Sequence, residues 1–90
     1  MGRYQIKIKV TAQKDLLKIS KSGDISTIQK VETIFHELEE HPKTGTGKPE
    51  QLRYELSGFW SRRLNHKDRI IYEIDEGKNV VTVLSVLGHY

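Results

Sequence analysis

Apolar and polar residues alternate from Tyr4 to Val10 (Tyr-Gln-Ile-Lys-Ile-Lys-Val). That is the period of a strand with one face buried. The pattern then changes. Thr11 is placed to cap a short helix from Ala12 to about Ser20, with Leu16, Leu17 and Ile19 available for burial. Ser22-Gly23 breaks that helix and Asp24 reads as the next N-cap. A second helix is predicted from Ile25 to about Glu40, because Ile28, Val31, Phe35 and Leu38 recur at intervals of three or four. Its acidic side (Glu37, Glu39, Glu40) reads as a solvated face, and Pro42 stops it.

Residues His41 to Pro49 carry two glycines and two prolines and read as loop. Beyond them, Leu52–Leu56, Phe59–Leu64, Arg69–Ile74 and Asn79–Leu87 are rich in β-branched and aromatic residues and predict strands. Gly58, Asn65–Asp68 and Asp75–Lys78 supply the turns. Short connections join antiparallel neighbours. The expected order is β-α-α-β-β-β-β. That is an α+β fold, with two helices from the N-terminal half packed on one face of a mainly antiparallel sheet. Val80–Leu87 is apolar on both sides, so its facing is not decided by alternation.

Residues 1–90 suffice for one domain and leave no room for a second core. The chain is 36% hydrophobic and 30% charged, which fits a folded domain. It holds no apolar run of the roughly 18–20 residues a membrane span needs, so no membrane partner is expected. Met1–Val10 lacks a continuous apolar stretch and does not read as a secretory signal. Cysteine is absent, which excludes disulfides and thiolate metal sites and fits a cytoplasmic setting.

Charge changes the picture by its placement. The formal net charge is +3. Yet His41–Tyr72 alone holds seven basic residues against three acidic ones, on an otherwise nearly neutral chain. A cationic segment of this kind suits a phosphate-rich partner, or simply a solvated face. Two apparent motifs fail. Gly45-Thr46-Gly47-Lys48 is not a P-loop, since Pro42 stands where its first glycine belongs and Pro49 where Ser or Thr must follow the lysine. His36 and His41, five apart on a helix, diverge by ~140° and do not form a zinc pair, so no metal and no cofactor are expected.

What remains is a concentration of proton-transfer and phosphate-binding groups: Glu50, Arg53, Arg62, Arg63, Arg69 and His89. RNA carries its own nucleophile, the 2′-hydroxyl. Cleaving it requires a base, an acid for the leaving 5′-oxygen, and cations to hold the phosphate charge. A carboxylate, a histidine and arginines meet those needs, although many basic domains contain the same residue types.

A specific resemblance narrows the field. The run GTGKPEQLRYELSGFWSRRLNHKDRIIYEI, Gly45 to Ile74, resembles the signature of the YoeB (Txe/YoeB) toxins: a GxGKPExL loop, an LSGFWSRR block, and an arginine before an apolar-apolar-Tyr strand. Gly88-His89-Tyr90 resembles that family's terminal His-Tyr. The resemblance implies a microbial-RNase, RelE-like fold and an endoribonuclease that cleaves mRNA in the ribosomal A site. It also implies a cognate antitoxin. By the same resemblance Glu50 is the general base, Arg69 the phosphate-stabilising cation, His89 the general acid and Tyr90 the residue that positions the substrate base. Lys48, Arg53, Arg62 and Arg63 are expected to contact RNA. Gln51 and the Asn65–Asp68 turn depart from the family pattern and bear on loop geometry. Formation of a homodimer is left open. Other readings are a non-catalytic RNA- or ribosome-binding module and a related ribonuclease acting on free RNA. Among single residues, Arg69 alternatively pairs with Glu73 or Glu55, Trp60 and Phe59 pack in the core or on the sheet, and Tyr54 and Tyr72 are structural.

Overall fold

The computed structural model of the chain describes residues 3–53 and 58–88. β1 (Gln5–Ile8) leads into α1 (Val10–Ser22) and α2 (Ile25–Glu40), followed by β2 (Glu50–Gln51), β3 (Phe59–Arg63), β4 (Arg69–Asp75) and β5 (Val80–Gly88). The strands form one sheet in the order β1-β5-β4-β3-β2. β1 runs parallel to β5 and every other pairing is antiparallel, as the short connections require. The order and the mainly antiparallel sheet match the expected α+β fold.

Helix boundaries follow the local hydrogen bonding. Lys9 N–H donates to Val83 O at 3.0 Å, ending the strand, and Gln13 N–H donates back to Lys9 O at 2.9 Å, opening α1. The helix therefore begins ahead of Thr11, and the expected threonine cap is not used. Gly23, at φ 76°, takes the left-handed conformation that closes α1. Asp24 does cap α2: its carboxylate accepts from Thr27 N–H at 3.1 Å and from Thr27 Oγ1 at 2.6 Å.

Thr27, Val31, Ile34 and Leu38 form the buried line of α2. Ile28 and Phe35 flank it, half-buried against the same core. The expected stripe is thus rotated slightly and centred on Ile34, which is fully buried. These side chains meet Ala12 and Ile19 of α1, and Ile70, Tyr72, Val81, Val83 and Val86 from β4 and β5. Each fully buried aliphatic side chain contributes about 1.5–3 kcal/mol relative to exposure.

β5 resolves its two-sided apolar run by breaking period. Tyr72 pairs with Val83, Ile71 with Ser85 and Arg69 with Gly88, so β5 carries extra residues against β4. Such bulges re-aim the side chains that follow. They also bring consecutive amides to one side. Val86 N–H and Leu87 N–H both donate to Asp15 Oδ2 of α1, at 3.0 and 3.1 Å.

The expected strand over Leu52–Leu56 is represented by β2, two residues earlier; its later part lies outside the described residues. Leu52 N–H still donates to Phe59 O at 2.9 Å, continuing the pairing.

Candidate active site

The face of the sheet away from the helices is read from the register. Glu50 pairs with Ser61 and Ser61 with Ile71; Arg63 pairs with Arg69 and Arg69 with Gly88. Paired residues share a face, and residues two apart on a strand do too. Glu50, Ser61, Arg63, Arg69 and Ile71 therefore lie together on this open face, although Ser61 itself is fully buried and Ile71 half-buried. Trp60, Arg62, Ile70 and Tyr72 occupy the face toward the helices.

Glu50 begins β2, and its side chain is mostly exposed. Arg69 begins β4 and is half-buried. A guanidinium nitrogen of Arg69 stands 3.7 Å from Glu50 Oε2, an ion-pair distance too long for a hydrogen bond. Of the alternative partners, Glu73 sits farther along β4, opposite Phe59 and Thr82, and Glu55 lies outside the described residues. Arg63 is exposed on the rung beside Arg69. Lys48 and Arg53 are exposed on either side of Glu50 along the chain. Like charges directly across a ladder repel, and Glu50 stands beside this rung as the counter-ion of Arg69.

The expectations for His89 and Tyr90 fall outside the described residues. Tyr54 does as well. The described strand ends at Gly88, opposite Arg69. Space is tight at position 88: a Cβ there would run into Ser85 Oγ and stand 3.0 Å from Ile71 Cγ1, so those side chains would have to shift.

Arg62 requires a correction. It was expected to contact RNA, but it is fully buried on the helix side of β3. Its guanidinium donates to His41 O at 3.1 Å, Thr44 O at 2.7 Å, Thr46 O at 3.4 Å and Glu37 Oε1 at 2.5 Å, and its Nε to Tyr72 Oη at 3.2 Å. Tyr72 Oη in turn donates to Pro42 O at 2.7 Å, so Tyr72 is structural as expected. No donor is left for a ligand. Period two contained the signal, since adjacent residues of a strand point to opposite faces and Arg62 and Arg63 cannot both face solvent.

Glu37 is the second correction. Rather than belonging to a solvated face, it accepts from Thr46 N–H at 2.7 Å and Thr46 Oγ1 at 2.8 Å while pairing with Arg62. Burial pushes its pKa up, but the Thr46 donors and the Arg62 charge outweigh that and hold it below the usual carboxylate range. Burial raises the Tyr72 phenol above its ordinary value, against the pull of Arg62, which keeps it a proton donor.

Together these contacts fasten the loop that delivers Glu50. Gly47 fits against β3 so closely that a Cβ would stand 2.6 Å from Arg63 O, and Arg63 N–H donates to Gly47 O at 2.6 Å. Gly47 and Lys48 both take positive φ, 84° and 52°, turning the chain sharply into Pro49-Glu50. His41 also serves the loop, its Nδ1 lying 2.9 Å from Thr44 O. Trp60 packs against the main core.

The fold matches solved toxins. A YoeB dimer from Staphylococcus aureus aligns with TM-score 0.80 and 30% identity, covering 98% of this chain and 99% of that one. YoeB in the heterotetrameric YoeB-YefM toxin-antitoxin complex of the same organism aligns at 0.78 with 30% identity, over the same 98% and 99%. In sequence, the toxin YoeB of Mycobacterium bovis is 38% identical over 69 residues, 77% of this chain and 79% of that protein. The family model for the YoeB-like toxin of bacterial type II toxin-antitoxin systems matches residues 10–90. The chain belongs to that family. No helix among the described residues is long and apolar enough to cross a membrane.

Proposed function

We propose that this toxin is an endoribonuclease that cleaves mRNA in the ribosomal A site by acid–base chemistry. The observation that carries the reading is the Glu50–Arg69 pair, 3.7 Å apart on the open face of the sheet, with the strand leading to His89 ending opposite Arg69. Glu50 takes the proton of the 2′-hydroxyl, and that oxygen attacks the adjacent phosphorus. Charge accumulates on the non-bridging oxygens, where the Arg69 guanidinium makes paired hydrogen bonds that strengthen as the charge grows. The bond to the 5′-oxygen breaks as His89 donates its proton there, leaving a 2′,3′-cyclic phosphate and a 5′-hydroxyl. Tyr90 orients the base beside the scissile bond. Lys48, Arg53 and Arg63 bind the flanking phosphates, and such contacts set affinity more than specificity.

A YoeB is solved in complex with YefM, and another as a dimer. By extension this toxin has a cognate antitoxin, whose acidic segment covers the cationic open face, and pairs of toxin molecules assemble. Its place of action is the cytoplasm, where its substrate is translated.

The test is cleavage of message on programmed ribosomes by the purified toxin, with naked message alongside. Glu50→Ala, Arg69→Ala and His89→Ala should each lower the rate by about 10²-fold or more while leaving the thermal midpoint nearly unchanged. Wild-type rates in all three would reject the reading. Equal cutting of naked message would move the site of action off the ribosome.

A further inference from the structure

We infer that Asp15 is a positioning residue, holding the end of β5 in the form from which the proton donation proposed for His89 proceeds. The inference rests on the acid role proposed for His89. Asp15 belongs to α1, on the helix layer rather than the open face. Its Oδ2 accepts two consecutive backbone amides, Val86 at 3.0 Å and Leu87 at 3.1 Å. In a regular strand consecutive amides point to opposite sides; both can reach one oxygen only where the strand is bulged. The register shifts at this point, Ile71 pairing with Ser85 but Arg69 with Gly88.

β1 cannot supply these partners. Its ladder with β5 ends at Ile8↔Val83, after which the chain turns into α1. The carboxylate therefore replaces a missing strand, and its charge strengthens both bonds. Beyond Leu87 only Gly88 separates this anchor from residue 89. A Cβ at Gly88 would meet Ser85 Oγ and Ile71 Cγ1, so this residue lies close against the bulge that Asp15 holds.

A slack anchor should weaken the proton donation and spare the other steps. The experiment compares ordinary message with one whose scissile linkage carries sulfur in place of the 5′-oxygen, because a thiolate leaves without a proton. On programmed ribosomes, Asp15→Ala should cut the ordinary linkage about 10- to 100-fold more slowly in kcat, with KM little changed. On the sulfur linkage its deficit should shrink to about threefold or less. Asp15→Asn keeps an acceptor oxygen and should recover most of the rate. Amide exchange at Val86 and Leu87 should quicken in Asp15→Ala while Val81 and Val83 stay protected.

Equal deficits on both linkages, or none, would overturn the inference. So would unchanged exchange at Val86 and Leu87. His89→Ala run in parallel separates the two ideas. If sulfur rescues His89→Ala but not Asp15→Ala, only the Asp15 role fails. If it does not rescue His89→Ala, the acid role itself fails and takes the Asp15 role with it.

Discussion

Two irregular stretches of backbone reach the open face, and they are fastened in opposite ways. The loop ahead of Glu50 turns its carbonyls inward, and the buried Arg62 cation gathers those of His41, Thr44 and Thr46. The end of β5 turns amides inward, and the Asp15 anion gathers those of Val86 and Leu87. In each case one side chain whose charge suits the exposed backbone groups replaces a missing ladder. The anchors differ in depth. Arg62 is fully buried and has its own counter-ion in Glu37, whereas Asp15 is only half-buried. The lesson is that the loop carrying the carboxylate is the stiffer of the two, and the strand end the more adjustable.

Breaking the deeper anchor should cost most. Arg62→Ala removes the cation that faces Glu37 and takes the guanidinium donors from the carbonyls of His41, Thr44 and Thr46, a loss of about 3–5 kcal/mol for a buried pair. Asp15→Ala should lose about 1.5–3 kcal/mol from its charge-assisted bonds. Denaturant titration of the two variants checks the order, and an equal or reversed loss would dissolve the contrast between the two anchors. In a domain of this size stability totals only about 5–15 kcal/mol, so Arg62→Ala is expected to be near the edge of folding.

Acid sharpens the comparison more gently. Because the folded-state pKa of Glu37 lies below its ordinary 4.5, its contribution is present in full above that value. It is lost as pH falls through the lowered folded value. Thermal melts taken from neutral pH downward should show the wild type losing more stability than Glu37→Gln, with the two curves converging in acid. A constant gap between them would mean that the pairing with Arg62 does not depend on the Glu37 charge.

The smallest structural effect is expected where neither anchor reaches. Arg63→Ala and Lys48→Glu alter exposed side chains and should move stability by about 0.5 kcal/mol or less. Both should weaken binding to programmed ribosomes, and more so at low salt than at high. A binding assay across salt concentrations, paired with melts, checks this.

Much of this architecture was legible in the sequence, and the exceptions share a cause. Asp24, the amphipathic stripe of α2 and the order of helices and strands along the chain follow from short-range patterns, since caps, helical stripes and turn residues act within a few positions. The roles of Glu37 and Asp15 do not, because their partners lie 25 and 71–72 residues away. Nothing local distinguishes such an acid from one on a wet surface. Ile34 was overlooked because Ile28 and Phe35 sketch a neighbouring stripe. Arg62 resembles a surface cation among its basic neighbours, although strand alternation turns it inward. At the candidate site, Glu50 and Arg69 were singled out by family resemblance. Spacing alone would not have joined them, since antiparallel register, not proximity in the chain, brings β2 and β4 to the same end of β3.

One rung of the sheet holds a further consequence. Arg63 and Arg69 face each other across β3 and β4, and beside them Gly88 contributes no side chain. Arg69 already has Glu50 at 3.7 Å as counter-ion, so any anion docking on this rung would compete with that carboxylate for one guanidinium, while Arg63 stands exposed beside it.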